Sequence, residues 1–250
     1  MVLLKDYYSN LNKKFLKFKF NGITFDSNLV KKNYIFFAIK GNKLDGNRFI
    51  KAAIKKGSRI IISEKIKERF ENKILYLKNK NPRKLLAEFA VKLNYQHPSN
   101  LVAVTGTNGK SSIANFYYQI LKINKKKVAS IGTLGIDGIN YKKNISNTTY
   151  DPILLNKVLA TLKKKNINNV ILEASSHGLK QHRLDGLKFS LGIFTNLSRD
   201  HLDYHKSFKD YLDSKLILFK KLMKKKSSII FDEDLTITNK IKKIIKKNNF

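Results

Sequence analysis

Residues 102–112 read VAVTGTNGKSS. The left half is apolar or small and suits a buried strand, whereas Gly106, Asn108 and Gly109 favour a turn. The following IANFYYQILKI carries Ile113, Phe116, Tyr117, Ile120 and Leu121 at helical spacing. The stretch therefore predicts a strand, a tight glycine loop and a helix. Such a loop holds phosphate: backbone N–H groups line it, the helix N-terminus adds positive potential and Lys110 supplies a full charge. The usual phosphate loop is G-x-x-x-x-G-K-[ST]. Here Val104 and Thr105 stand where its first glycine would fall, so the loop, GTNGKS, is shorter. Lys110 and Ser111 keep their places after Gly109, which predicts Lys110 on the terminal phosphates and the Ser111 hydroxyl on Mg²⁺. The alternative is a glycine turn with a solvated lysine; the strand before it and the amphipathic helix after it favour a nucleotide site.

Outward from this loop, strands and helices alternate. N-terminal to it, 34–39 and 58–63 and 74–77 read as strands, 46–57 as a helix stopped by Gly57, and 81–95 as a helix with Asn81 as N-cap and Pro82 at its first position. Residues 96–99 read as a linker, dividing the chain into units 1–97 and 98–250. C-terminal to it, 127–131 reads as a strand and 133–143 as a hairpin turning at Asp137-Gly138. A helix from Asp151-Pro152 to about 164, strands at 169–175 and 191–196, a helix at 208–223, a strand at 227–232 and a basic tail helix at 234–248 follow. The alternation predicts an α/β fold with mostly parallel sheets, whose ligands gather at the carboxyl ends of the strands.

The chain of 250 residues has 51 Lys and Arg against 18 Asp and Glu, a net charge of +33. The lysines are spread through every segment beside abundant Asn, Ile, Phe and Tyr, residues of A/T-rich codons. The charge is read as base composition displayed on solvated faces rather than as a nucleic-acid surface, although it aids attraction of anions. No cysteine is present, which excludes a disulfide framework and a thiolate metal site. No apolar run approaches a membrane span, and MVLLKDYYSNLNKKF is too short in apolar residues for a signal peptide. The expectation is a soluble cytoplasmic protein with no nucleic-acid or membrane partner.

Three polar groups stand out. Glu173 ends the apolar strand NVILEAS and is followed by hydroxyls and an imidazole in EASSHG. It is either a solvated strand end or an oxygen ligand for Mg²⁺ shared with a nucleotide. NLSRDHLDYHKS (196–207) places His201 and His205 beside Asp200 and Asp203, without the glutamate of a metalloprotease helix. His201 is a metal ligand or a surface histidine at a helix start. Lys215 lies inside the stripe Phe208, Tyr211, Leu212, Leu216, Phe219. Snorkelling is the common explanation; a buried, pKa-shifted and modified amine is the other.

Taken in order, TGTNGKSS, NTTYDP, EASSHGLKQHRLDG and FTNLSRDHLDYHKSFKDYLDSKLILF resemble the Mur ligase family. Within it they are similar to the MurE type, and the N-terminal DSNLVKKNYIFFAIKGNKLDGNRFIKAAIKKG resembles that family's uridine-nucleotide-binding domain. The similarity runs from about residue 22 to 231. It implies an ATP-dependent amide ligase of peptidoglycan synthesis that joins a diamino acid, meso-diaminopimelate or L-lysine, to UDP-N-acetylmuramoyl-L-alanyl-D-glutamate through an acyl phosphate. ATP and Mg²⁺ are the implied cofactors; the sequence does not give the oligomeric state, and a monomer is the expectation. By motif position, Gly106, Thr107, Asn108, Gly109, Lys110, Ser111 and Ser112 match the ATP loop. Glu173 and His201 match metal ligands, with Ser111, and Lys215 matches a lysine carbamylated by CO₂; Lys110, Glu173, His201 and Lys215 form the implied catalytic set. Thr148, Thr149, Ser176, Gln181 and Arg183 match residues that grip the muramoyl-dipeptide, and Ser27 matches the uridine side. Asn28 replaces the family's arginine and Tyr150 its first proline. Family members continue into a third, amino-acid-selecting domain, so the chain is expected to be a fragment or split-gene product. The alternative expectation is a truncated, non-catalytic binding module.

Overall fold

The computed structural model describes residues 1–8, 11–41, 44–138, 147–248 and 250. They form two compact units, Met1–Leu93 and Asn94–Phe250. In the first, β1 (Val2–Leu3) and β2 (Lys19–Phe20) pair antiparallel. The main sheet contains β3 (Gly22–Thr24), β4 (Tyr34–Phe37), β5 (Ile60–Ser63), β6 (Arg69–Glu71) and β7 (Ile74–Lys78). Its order is β3-β4-β5-β7-β6, parallel except for the edge strand β6. The side chains of β4 alternate between two faces. Phe36 packs with Ala53 of α1 (Ile50–Lys55) and with Ile61, whereas Phe37 meets Phe89 of α2 (Pro82–Leu93) edge-on at 5.6 Å. Asn81 Oδ1 accepts the Lys84 N–H at 3.0 Å, as an N-cap should. The expected helix over 46–57 instead opens as a 3₁₀ turn, Gly46–Phe49, because the Asp45 carboxylate accepts the Asn47 N–H and tightens the start.

The second unit contains β8 (Asn100–Thr105), α3 (Lys110–Ile123), β9 (Val128–Gly132), β10 (Gly135–Asp137), α4 (Pro152–Lys164), β11 (Asn169–Glu173) and α5 (Ser176–Lys180). It continues through β12 (Phe189–Phe194), α6 (Phe208–Ile217), a π turn (Leu218–Leu222), β13 (Met223–Phe231) and α7 (Thr238–Asn248). The sheet order β10-β9-β11-β8-β12-β13 is parallel except for the edge strand β10. The α/β fold expected from the alternation is therefore present in both units. β8 lies between β11 and β12, with Glu173 opposite Val104 and Phe194 opposite Thr105. The carboxyl ends of all three strands thus meet beside Gly106.

Several boundaries differ from expectation. The hairpin turns at Thr133-Leu134, since Gly132 pairs with Gly135; Asp137 closes β10, and 139–143 fall outside the described residues. The helix expected to run to 223 leaves α-geometry after Ile217, and Leu218, Phe219 and Leu222 are all buried in the π turn. β13 begins at Met223 rather than 227 but is irregular, its register jumping between Phe189–Met223 and Leu191–Ser228. On α3 the inward stripe is Ile113, Ala114 and Tyr117, packed on Val102, Val104 and Ile171, while Phe116 and Ile120 are exposed. Phe208, expected in the α6 stripe, is also exposed. Helix α5 was not expected at all; five residues carry too little periodicity to read. No helix among the described residues is long and apolar enough to cross a membrane.

Candidate functional site

The glycine loop is strapped to the segment following β12. The N–H groups of Thr107 and Asn108 donate to the backbone and side-chain oxygens of Asn196, at 3.0 and 2.8 Å. Thr195 Oγ1 donates to the Asn108 carbonyl at 2.6 Å. Thr107 Oγ1 donates to the Ser198 carbonyl and accepts from the Ser198 N–H and from the Tyr211 hydroxyl. Gly109 has φ +80° with open space where a Cβ would stand, so the chain turns left-handed into α3 with nothing above it. Lys110 Nζ donates to the carbonyls of Gly106 (3.1 Å) and Thr107 (2.7 Å). Burial lowers the Lys110 pKa, against the opposing pull of Glu173 and Asp200.

Above the loop lies a cavity of about 390 Å³ lined by Thr107–Ser112, Thr133, Thr148, Glu173, Ser175, Ser176, His201 and Lys215. Glu173 is only 3% exposed. Its carboxylate accepts from the Thr133 N–H (2.9 Å) and from Thr133 Oγ1 (3.1 Å), and among the described residues no cationic side chain closes an ion pair on it. Thr133, which sequence reasoning passed over, is thus the group that orients Glu173; its place in a hairpin turn offered no signal. His201 reaches the cavity from a left-handed backbone position (φ +53°), its ring edge-on to His177 at 4.9 Å.

Lys215 corrects the snorkelling expectation. It is 1% exposed, and Nζ donates to the Gly106 carbonyl at 2.5 Å and sits 4.3 Å from the Tyr211 ring centre. α6 packs against the loop through Lys215 and Tyr211, so the stem is held inward rather than turned out along the protein surface. Burial first, and the like charge of Lys110 second, push the Lys215 pKa down to about 7, with Asp200 opposing. Two lysines therefore donate to one carbonyl, that of Gly106.

The remaining expected residues divide. Thr148 and Ser176 line the cavity. Thr149 is buried as a structural hub: Oγ1 donates to the Glu173 carbonyl and accepts from the Ser175 N–H, each at 2.9 Å. Arg183 donates to the Thr149 carbonyl and to Gln181 Oε1, and Gln181 Nε2 donates to the Tyr204 hydroxyl at 3.2 Å, so both brace the cavity's surroundings. Ser27 opens a 3₁₀ turn in the first unit, capped by Asp26. His205 is a further residue not singled out for a role. Its side chain is fully buried, with Nε2 3.0 Å from Ser176 Oγ and Nδ1 facing Ser214 and Asp210. Burial, then the nearby Lys180, hold its pKa below the ordinary value. His177, stacked on Tyr204 at 3.9 Å, is likewise depressed, by burial first and then by His201 and His205.

Among the described residues no three His, Cys, Asp or Glu side chains cluster as a metal site. The donors that line the cavity are instead two oxygen groups, the buried Glu173 carboxylate and the Ser111 hydroxyl at the start of α3, with the His201 imidazole lining the same cavity. That oxygen set suits Mg²⁺, which takes few protein ligands and keeps oxygens from phosphate and water. Protonated Lys215 offers nothing to a metal; its neutral form, accessible near pH 7, could take up CO₂.

The second unit is thus an α/β domain with a glycine loop, the half-buried Lys110 and the buried Lys215 at the carboxyl edge of a mostly parallel sheet. The Mur ligase middle domain matches residues 104–250, and the pattern described as Mur ligase family, catalytic domain, matches 19–92. The UDP-N-acetylmuramoyl-L-alanyl-D-glutamate–2,6-diaminopimelate ligase of Wigglesworthia glossinidia brevipalpis is 43% identical over 238 residues, 91% of this chain and 47% of that protein. The ligase of the same name from Rickettsia typhi is 37% identical over 245 residues, 96% of this chain and 49% of that one. A solved structure of a ligase so named superposes with a TM-score of 0.80 at 26% identity, over 99% of this chain and 50% of its own. MurF of Thermotoga maritima, solved with ADP, shares the fold at a TM-score of 0.60 and 20% identity, over 90% of this chain and 48% of that one. The chain belongs to the Mur ligase family. It spans about half the length of the curated relatives it matches.

Proposed function

We propose that the chain carries the nucleotide- and precursor-binding part of an ATP-dependent amide ligase. The ligase joins a diamino acid to UDP-N-acetylmuramoyl-L-alanyl-D-glutamate in peptidoglycan synthesis. The diamino acid is 2,6-diaminopimelate, the one in the relatives' names. The observation that carries this reading is the meeting of Lys110, Ser111, Glu173, His201 and Lys215 around one cavity at the carboxyl ends of β8 and β11.

In this reading the loop 106–112 cradles the ATP phosphates with its N–H groups, and Lys110 leaves its carbonyls to meet them. Ser111, Glu173 and His201 would hold magnesium, together with Lys215 where its neutral amine adds CO₂ and releases a proton to water to give a carbamate. Bound there, magnesium would supply charge neutralisation for the triphosphate and for an acyl phosphate on the dipeptide's terminal carboxylate. Thr133 keeps the Glu173 carboxylate turned into the cavity. Thr148 and Ser176 meet the muramoyl-dipeptide directly, with Thr149, Gln181 and Arg183 bracing that side and Ser27 on the uridine side.

Calorimetry of the 250-residue chain with Mg–ATP, and separately with UDP-N-acetylmuramoyl-L-alanyl-D-glutamate, tests the reading. Both ligands are expected to bind, and Lys110→Met is expected to weaken ATP at least tenfold, about 1.4 kcal/mol. A chain that binds neither ligand refutes it. For the carbamate, ¹³C NMR under ¹³CO₂ should show one protein-bound carbamate signal that Lys215→Ala removes; its absence in the wild type removes that role.

A further inference from the structure

His205 lies outside the residues assigned above to ATP or metal, yet it touches the cavity wall through one atom. Nε2 is 3.0 Å from Ser176 Oγ, and Ser176 lines the cavity. The imidazole itself is fully buried. Which of the two partners donates in that contact follows from what surrounds the other ring nitrogen.

Nδ1 faces two oxygens. One is Asp210 Oδ2 at 3.6 Å, a carboxylate and so an acceptor only. That oxygen is fixed by the Lys180 ammonium and by the Lys206 N–H at 3.1 Å. The other is Ser214 Oγ at 3.5 Å. Its single proton is already committed to the Asp210 carbonyl at 2.7 Å, so towards His205 it too can only accept. Two acceptors around Nδ1 place the imidazole proton there. Nε2 is then bare and must accept, and Ser176 is the donor. A serine hydroxyl has one proton and two lone pairs. With its proton spent on His205, only lone pairs remain to face the cavity.

We infer that His205 is a positioning residue for Ser176: it holds the serine proton, so the Ser176 oxygen meets the cavity as an acceptor and selects an N–H donor on the bound molecule. Asp210, Lys180 and Ser214 set the tautomer from behind. A carboxylate or phosphate oxygen is disfavoured at that position, because two acceptors would face each other. The inference deepens the reading of Ser176 as a substrate residue, and for its ligand class it rests on that reading; the tautomer stands independently of it.

The test has two arms on the full chain. Long-range ¹H–¹⁵N correlation of the histidine side chains, assigned by His205→Phe, should show His205 as the Nδ1–H tautomer, with the unprotonated Nε2 signal moving in Ser176→Ala. An Nε2–H tautomer, or an Nε2 signal indifferent to Ser176→Ala, overturns the inference. In the second arm, calorimetry with UDP-N-acetylmuramoyl-L-alanyl-D-glutamate should show His205→Phe weakening binding about tenfold. His205→Gln, whose amide oxygen can take the same proton, should restore most of it. Equal affinity in wild type and His205→Phe removes the positioning role. A wild-type chain that does not bind this ligand counts against the proposed substrate, while the tautomer arm still decides the arrangement of His205 and Ser176.

Discussion

The two units are built on the same plan, four or five parallel apolar strands finished by one short antiparallel edge, yet they bury different things. Among the described residues of the first unit the buried polar ones are Thr24, Ser58 and Ser63, all neutral hydroxyls among Ile35, Phe36, Phe37, Ile60, Ile61 and Ile62. In the second, Glu173, Asp185, His205 and Lys215 are all buried, three of them within or directly behind one cavity. Burying an ionisable group costs free energy unless it is paired or neutralised. A sheet needs none of them to form, as the first unit demonstrates. The charges in the second unit are therefore a burden carried for the site, and the rest of its core must outweigh it.

Mutations can break or sharpen this contrast. The largest effect is expected from Phe36→Ala, which empties the centre of the first unit's sheet. It should lower stability by about 3–5 kcal/mol in denaturant titration, with no dependence on pH. Next is Lys215→Met, which should stabilise rather than destabilise. The folded pKa of about 7 lies below the ordinary 10.5, so between those values the unfolded chain binds the extra proton and stability rises with pH. The penalty is complete below about pH 7 and fades towards 10.5. Removing the amine should therefore add a few kcal/mol at pH 6 in CO₂-free buffer and nothing near pH 10.5. The Gly106 carbonyl keeps Lys110 as its donor. Equal pH profiles for the two proteins would mean that Lys215 is not charged at a cost.

Gly132→Ala should come third. An added Cβ would stand 2.1 Å from Glu173 Oε1, so the carboxylate must leave Thr133. A loss of about 1–3 kcal/mol is expected, together with weaker Mg–ATP binding by calorimetry. Unchanged ATP affinity would detach Glu173 from the metal. The smallest effect belongs to Asp151→Ala, which removes the N-cap bonds to the Ile153 and Leu154 N–H groups at the start of α4, at 3.0 Å each. About 1 kcal/mol is expected in thermal or denaturant unfolding, with ligand binding untouched.

Much of this was legible along the chain. The strand–loop–helix of 102–121, the Asp151-Pro152 helix start and the Asn81 cap are local, since each depends on residues within a turn or two of one another. The motif residues Lys110, Ser111, Glu173, His201 and Lys215 could also be named one by one. What stayed hidden depended on partners far away in sequence. Phe116 and Ile120 have helical spacing but face outward, because only packing decides which of two apolar stripes meets the sheet. Thr133 and His205 matter through Glu173 and Ser176, forty and twenty-nine residues away.

The sequence by itself determined the alternation of strands and helices, the glycine loop and the family, because periodicity, turn chemistry and motif order are properties of neighbours along the chain. Only the tertiary structure decided that Lys215 is sealed under the loop, that Thr133 holds Glu173, and that His205 stands behind Ser176. Burial and hydrogen-bond polarity are set by what surrounds a side chain in three dimensions, and those surroundings come from strands and helices that the chain brings together only on folding.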